Sequence, residues 1–357
     1  MRVAIIGAGL SGLSCALELL RHGIVPAVFE KKNSIGFETG LTAIHLRLFS
    51  RRRRDPILYI AKKYGLELKP MSVLKELTMD APGAKTVIKG NLGYLFKRGE
   101  DPGSLENQIA SKTYIPIYFD RIASLENIRD GFDFVVAASG DFSIAKELGV
   151  CNVSINTQTR VATVLGNFRI DSASIFFNTN FAKNSFCHLV PLNSRQAFLC
   201  LSIENISSHE LDYYWKKLLT SVNFPFDIIQ TADSEQDVGF SCPIRIGNIL
   251  ITGMPAGTTD SFLGFGALNS IESGFLAARA IAYGLDYESL MRPILKHVQT
   301  INRFRDLINT FDNSDYKRLI AFLGLPAVKQ LIYRNPILRA RDASFLAGLL
   351  VAIRKKH

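Results

Sequence analysis

The sequence has few features that would anchor the protein in a membrane, cross-link it or indicate a repeat architecture. Its five cysteines are scattered over 357 residues without a CxxC pair, which suits a reducing compartment and argues against a disulfide framework or a metal site. No apolar run reaches the roughly 18 residues needed to span a bilayer, and we find no internal repeat. A buried strand that leads into a glycine-rich turn begins at residue 2, which predicts no leader peptide. These features favour a cytoplasmic globular protein of two closely packed domains.

Negative charge is scarce near the end of the chain. The net charge is +10, and residues 292–357 hold 13 Lys/Arg against 4 Asp/Glu. Apolar residues 345–353 precede Arg354, Lys355 and Lys356, a pattern typical of a helix on an anionic membrane surface. A buried final helix with a solvated basic end fits equally well. No nucleic-acid partner is expected, because interleaved aromatic residues and a recognition module are lacking.

Residues 2–32 have the pattern of a strand, a glycine-rich turn, a helix and a second strand. Gly7, Gly9 and Gly12 follow the apolar strand with GxGxxG spacing. The first permits a tight turn, the second lets the backbone approach a pyrophosphate, and the third lets the helix pack closely. The helix amides, beginning at Leu10 and Ser11, would then face the phosphates. This unit predicts a dinucleotide site.

An acidic residue ends the second strand of this unit. Glu30 stands 18 residues after Gly12, where a carboxylate accepts both hydroxyls of an adenosine ribose and repels a 2′-phosphate. Its neighbour Lys31 is included among the expected cofactor contacts. The same cofactor should also contact the end of another buried strand, predicted over residues 132–140, at Ala138, Ser139 and Gly140.

A third motif indicates which dinucleotide is bound. Residues 248–252 read as a strand, residues 253–257 as a loop, and a second glycine turn precedes a helix. The amides of that helix would lie where negative charge collects on a reduced flavin ring. An extended FAD needs such a late element, whereas a nicotinamide cofactor does not. The expected contacts here are Gly253, Met254, Gly264, Phe265, Gly266 and Ala267.

The motifs resemble, in type and order, those of the FAD-dependent geranylgeranyl-reductase-like branch of the p-hydroxybenzoate hydroxylase superfamily. The matching segments are GAGLSGLSCA at 7–16, GYLFKR at 93–98, AASGDFS at 137–143, and GMPAG with GFGALNSIESG between 253 and 274. The resemblance covers roughly residues 1–280. It implies FAD as the cofactor, with Arg98 near the ribityl chain and phosphates. Since no second GxGxxG is present, the electron donor would be a transiently bound NAD(P)H or a ferredoxin-type protein.

Several positions depart from the family pattern. Loss of one carboxylate hydrogen bond costs about 1–3 kcal/mol, so FAD binding should be weakened rather than abolished. This sequence has a different residue from the family at five positions: Met254 for an aspartate, Ser139 for a second acid, Ser261 for a proline, Thr39 for the cysteine of a Cys-Gly pair, and His188 for a tryptophan.

Alternating strands at 161–165, 174–178 and 197–203 predict an antiparallel sheet that walls a pocket over the flavin, with a helix at 209–221. The expected fold class is therefore α/β: a Rossmann-like FAD-binding domain with a parallel sheet of the glutathione-reductase type, an inserted antiparallel-sheet substrate domain and a helical C-terminal tail. The expected boundaries are residues 1–67, 96–150 and 240–285 for the FAD domain, 68–95 and 151–239 for the substrate domain, and 286–357 for the helical region.

Three polar residues are candidates for chemistry at the flavin. The alignment with the family places His188, Cys187 and His45 at the flavin cavity, and His188 and Cys187 are the candidate catalytic residues. The alternative for each is a satisfied buried histidine or an inert thiol. Arg51 and the three arginines that follow it either form a solvated face or bind a substrate pyrophosphate.

Three functions remain open. The first is an FAD oxidoreductase that acts on a bulky apolar substrate, such as an isoprenoid or lipid-linked molecule, by hydride transfer at flavin N5. The second is a flavin monooxygenase of the same fold. The third is a flavin- or lipid-binding protein that has lost activity.

Overall fold

The computed structural model describes residues 1–36, 41–51, 55–264 and 266–334, and these form two sheets surrounded by helices. The strands are β1 (Val3–Ile6), β2 (Ala27–Phe29), β3 (Leu41–Leu46), β4 (Ser72–Ala81), β5 (Ala84–Arg98), β6 (Ile117–Tyr118), β7 (Phe134–Ala137), β8 (Cys151–Leu165), β9 (Ser172–Phe176), β10 (Phe186–Pro191), β11 (Gln196–Glu204), β12 (Asp227–Ser241), β13 (Arg245–Ile246) and β14 (Ile249–Ile251). The helices are α1 (Leu10–Arg21), α2 (Pro56–Tyr64), α3 (Leu105–Ala110), α4 (Leu125–Ile128), α5 (Ser143–Glu147), α6 (Thr179–Ala182), α7 (Leu211–Ser221), α8 (Ala267–Tyr283), α9 (Tyr287–Ile308), α10 (Asn313–Leu323) and α11 (Pro326–Lys329).

The first sheet has the order β13-β14-β7-β1-β2-β6, and its strands pair in parallel except for β13. All four residues of β1 are buried, as expected for a parallel strand covered on both faces. The helices α1 and α8 pack together beside it. A Cβ on Gly274 would lie 2.1 Å from the Ser11 carbonyl oxygen, so this glycine is what allows the two helix backbones to approach.

The second sheet has the order β12-β8-β11-β10-β9-β4-β5-β3, and only β4 and β9 are parallel. The helices α6 and α7 cover one face, where Trp215 is buried. On the other face an apolar cluster joins β4, β5 and β9 to α9 and α10, with Phe304 and Tyr316 buried. The expected α/β fold, with its parallel and antiparallel sheets and C-terminal helices, is confirmed.

Details of the strands and boundaries differ from the sequence-based expectations. The strand β8 is much longer than the predicted residues 161–165, because it pairs along most of its length with β12. Residues 41–46, which fall in the predicted FAD domain of residues 1–67, form β3 and hydrogen-bond with β5 of the second sheet. No helix among the described residues is both long and apolar enough to cross a membrane. The predicted tail beyond residue 334 lies outside the described residues.

Candidate functional site

The glycine turn after β1 is closely packed on one side and open on the other. Gly7 has a φ of +106°, and a Cβ there would lie 2.3 Å from the Ala138 carbonyl oxygen. A Cβ on Gly12 would lie 2.0 Å from the Gly7 oxygen, whereas one on Gly9 would have no heavy atom within 4 Å. Gly7 and Gly12 are therefore required by packing, and Gly9 leaves space at the helix end.

That space adjoins the N-terminus of α1. Gly9 is the N-cap, no side chain caps the helix within the described residues, and its first turn has no acidic residue. The first amides, on Leu10 and Ser11, therefore add to the positive end of the helix dipole without a nearby carboxylate on that turn. An anionic group such as a pyrophosphate fits this arrangement.

Glu30 lies beside the same turn. One carboxylate oxygen accepts a hydrogen bond from the Ala8 amide at 2.7 Å, and the other accepts from the Lys32 amide at 3.1 Å. The Lys31 ammonium donates to Asp141 at 2.9 Å, which ties the end of β2 to the loop after β7. The structure thus brings Glu30 and Lys31 to the edge formed by the carboxyl ends of β1, β2 and β7, where nucleotides bind in such sheets.

The loop after β14 contacts the glycine turn directly. A Cβ on Gly253 would lie 2.5 Å from the Ser11 hydroxyl oxygen, and the Gly253 amide donates to the Ser273 hydroxyl at 3.0 Å. Met254 follows, and its sulfur lies 2.8 Å from the side-chain amide nitrogen of Gln236. Residues 11 and 253, far apart in sequence, are therefore in contact.

Among the other predicted cofactor residues, Gly266 is the N-cap of α8, which has no side-chain cap in the described chain. A Cβ on Gly264 would have no heavy atom within 4 Å, whereas one on Gly266 would lie 2.0 Å from the Thr259 hydroxyl. Ala267, the first helical residue, is partly buried. Phe265 lies outside the described residues.

Ser139 and Gly140 follow β7 beside the turn, and the Ser139 hydroxyl donates to the Asp141 carbonyl oxygen at 3.0 Å. Arg98 ends β5, where its Nε donates to the buried carboxylate of Glu106 at 2.6 Å. Part of the Arg98 guanidinium is therefore engaged with the protein.

A small cavity of about 30 Å³ lies at the start of α8, which is room for about one water molecule. The His45 Nε2 lies 2.8 Å from the Ser50 hydroxyl, and the His297 Nε2 lies 3.0 Å from the Phe49 carbonyl oxygen. Burial lowers the pKa of His45 to about 4, which His297 reinforces and Asp55 opposes, so its imidazole is neutral at pH 7. Six polar residues line the cavity, together with Phe49, Ile301 and residues 266–268: His45, Ser50, Arg51, Asp260, Asn269 and His297.

The two candidate catalytic residues on β10 face opposite sides of the sheet, because successive strand residues alternate. Cys187 is fully buried in the apolar cluster under α7, and burial raises the pKa of its thiol. It therefore does not share a cavity with His188. On the other face, the His188 ring lies 5.8 Å from the Phe186 ring.

His188 has one buried ring nitrogen that is unsatisfied within the described chain. Its Nδ1 is buried without a hydrogen-bond partner in the described chain, and burial lowers the pKa of the ring to about 4. The residue opposite His188 on β11 is Cys200. Ser202 is next to Cys200 on the same face of β11, and its hydroxyl lies 3.0 Å from the Thr159 hydroxyl. This polar strip was missed from the sequence, since it depends on the register between β8, β10 and β11.

Arg51, the first arginine of the basic run, lies inside the protein. It pairs with Glu272 of α8, which also accepts hydrogen bonds from Tyr59 at 2.9 Å and Tyr64 at 3.0 Å, with the Lys63 ammonium at 3.4 Å. Burial alone would raise the pKa of Glu272, but the charges of Arg51 and Lys63 lower it below its usual value. The solvated-face interpretation therefore fails for Arg51, whereas residues 52–54 lie outside the described residues.

No cluster of three or more metal-ligating side chains occurs among the residues that the structure covers.

Comparison with known proteins agrees with this geometry. Residues 5–42 match the family model of the NAD(P)-binding Rossmann-like domain. This match covers the strand, the glycine turn, α1 and Glu30. A search of curated proteins gives no match.

Solved structures extend the likeness to the whole chain. A geranylgeranyl bacteriochlorophyll reductase-like protein from Thermoplasma acidophilum superimposes with a TM-score of 0.71 at 14% identity, over 96% of this chain and 98% of that one. A flavoprotein/dehydrogenase from Cytophaga hutchinsonii gives 0.64 at 12% identity, covering 99% of each chain. The p-nitrophenol 4-monooxygenase of Pseudomonas putida gives 0.66 at 13% identity, over 93% and 96%. The protein therefore has the fold shared by a reductase-like protein, a flavoprotein/dehydrogenase and a monooxygenase, and the resemblance drawn from the motifs is confirmed at this level.

Proposed function

We propose that the protein is an FAD-dependent oxidoreductase. The observation that carries this proposal is the contact between Ser11, at the start of α1, and Gly253, in the loop that leads to α8. One extended cofactor can then run from the dinucleotide turn to the second glycine turn. A nicotinamide dinucleotide would use only the first of these elements.

The residues present fit FAD. The open space at Gly9 and the uncapped amides of α1 suit the pyrophosphate, and the Glu30 carboxylate suits the ribose hydroxyls. The start of α8 suits the flavin ring edge that becomes negative on reduction. Met254 offers no carboxylate, so we expect Gln236, whose amide lies against it, to face the cofactor's sugar-alcohol chain.

When bound, FAD supplies hydride transfer at N5. The protein's part is to orient the substrate and exclude water. The neutral His188 is suited to hold a hydrogen-bonding group of the substrate, and we propose that it does so. Cys187 lies fully buried on the opposite face of β10, so we propose no catalytic role for it.

The substrate we propose is bulky and apolar, of the isoprenoid or lipid-linked class. Phe186, which lies on the same face of β10 as His188, is only partly buried and leaves apolar surface for such a substrate. The name of the Thermoplasma acidophilum protein supports the same class. Electrons would come from transiently bound NAD(P)H or a ferredoxin-type donor.

A cofactor titration with one designed variant tests FAD binding. Gly9→Val places a side chain in open space, so the fold should hold while the pyrophosphate is blocked. We expect the dissociation constant for FAD, measured by quenching of flavin fluorescence, to rise at least about tenfold. Gly131→Ala, at another open glycine, is the matched control and should bind like wild type. A wild-type protein that takes up no FAD, or a Gly9→Val variant that binds normally, would contradict the proposal.

The monooxygenase remains the second candidate, since the p-nitrophenol 4-monooxygenase shares the fold. Oxygen uptake coupled to NADPH oxidation would favour it, whereas substrate reduction under anaerobic conditions would favour the first function. The departures at Met254 and Ser139 keep a third candidate, an inactive flavin- or lipid-binding protein. Flavin that dithionite reduces and no cellular donor reduces, with any lipid present, would support that one.

A further inference from the structure

Arg51 has one hydrogen-bond donor to spare. Its side chain is 9% exposed, and a terminal nitrogen pairs with Glu272. Its Nε is buried and has no partner in the described chain. An unsatisfied buried donor costs free energy, and the cost is recovered when a ligand accepts from it.

The Glu272 carboxylate is shared by several groups. Both Arg51 and Lys63 approach it, and two tyrosine hydroxyls donate to it. The other acidic residue at the cavity, Asp260, accepts hydrogen bonds from the amides of Phe262 and Leu263. Arg51 is therefore held in place by a carboxylate that it shares with Lys63, and this pairing leaves its Nε donor unused.

The free donor lies at the end of a long helix. Arg51 lines the small cavity together with Gly266, Ala267 and Leu268, which are the N-cap and first residues of the 17-residue α8. Their amides have no intrahelical acceptor and form the positive end of the helix dipole. Two independent donor groups thus meet at one cavity, where a hydrogen-bond acceptor with negative charge is favoured.

We propose that Arg51 and the first amides of α8 together bind one oxygen of the flavin's pyrimidine edge, a group that fits the water-sized cavity, and stabilise the reduced flavin. Glu272 is the positioning residue that holds Arg51 there. This inference rests on the proposed binding of FAD. It adds a residue that the motifs do not mark, since Arg51 reaches the site only through the fold.

Equilibration with a redox dye tests the inference on the FAD-loaded protein without any substrate. The measured quantity is the ratio of reduced to oxidised flavin at a fixed ratio of reduced to oxidised dye. Arg51→Met should lower this ratio about tenfold, the size expected for a charge-assisted hydrogen bond. Arg51→Lys keeps the charge and should recover part of the loss. Glu272→Gln should also lower the ratio, because Glu272 is the residue that holds Arg51 in place.

Lys63→Met is the matched control, because Lys63 pairs with the same carboxylate but does not line the cavity. The ratio of reduced to oxidised flavin in Lys63→Met should stay within about twofold of the wild-type ratio. If Arg51→Met fails to fold, Arg51→Gln replaces it with the same expected decrease. An FAD-loaded Arg51 variant with the wild-type ratio, or an equal shift in Lys63→Met, overturns this inference and leaves FAD binding intact. A wild-type protein that binds no FAD instead ends the proposed function, and this inference with it.

Discussion

At the scale of single residues, two histidines are held neutral by burial. His45 contacts Ser50 at the cavity beside α8, and the Nδ1 of His188, on β10, has no hydrogen-bond partner among the residues that the structure describes. The pKa of each is lowered from 6.5 to about 4. The sequence left burial of both rings as an alternative to a role at the flavin, since burial is decided by the elements that pack over each ring.

These two residues predict how stability depends on pH. Between pH 6.5 and 4 the unfolded chain binds more protons at these residues than the folded protein does, so stability falls as the pH is lowered through that window. Each histidine should contribute a loss of roughly 2–3 kcal/mol. His188→Phe should reduce the pH dependence by about that share, measured by urea unfolding at pH 4.5 and 7. The exposed His209→Phe serves as the control, and an unchanged pH dependence in His188→Phe would refute the expectation.

At the scale of elements, the site depends on the close packing of α1 and α8. Gly274 lets the two backbones meet at Ser11. The Ser11 hydroxyl in turn lies against Gly253. The sequence predicted both helices and both glycine turns. It did not show that Gly274, far from either turn, fixes the distance between them.

Gly274→Ala tests this role of the helix contact. Alanine favours a helix over glycine by about 1 kcal/mol, but its Cβ would collide with the Ser11 backbone. We therefore expect a net loss of about 1–3 kcal/mol in the free energy of unfolding, with weaker FAD binding because Ser11 must move. Gly131→Ala, which meets no atom within 4 Å, should change stability by less than about 0.5 kcal/mol. A stabilised Gly274→Ala variant would show that the helices can separate freely.

At the scale of the whole molecule, basic residues are concentrated near the C-terminus, and we propose a partner for them. We propose that the protein is cytoplasmic and that its basic C-terminal region contacts an anionic membrane at the inner face. The described helices α9 to α11 carry part of this charge. The apolar and basic residues after 334 carry the rest.

Vesicle sedimentation tests the membrane proposal on the full chain. Binding to vesicles that contain phosphatidylserine should be strong at low salt and fall steeply as salt is raised, because the attraction is electrostatic. Reversing the charges of Arg354, Lys355 and Lys356 to glutamate should weaken it by about 1 kcal/mol or more per residue. Neutral phosphatidylcholine vesicles are the control. Equal binding to both vesicle types, or none, would argue for a solvated tail.

The sequence by itself determined the dinucleotide unit, the order of the motifs and the α/β class. These are set by local rules: glycine spacing, alternation along strands and the ends of helices. The tertiary structure alone decided which distant residues meet. It brought Ser11 against Gly253, turned Cys187 away from His188, and buried Arg51 at the start of α8, because strand register and helix packing, which arise only in the folded chain, set those distances.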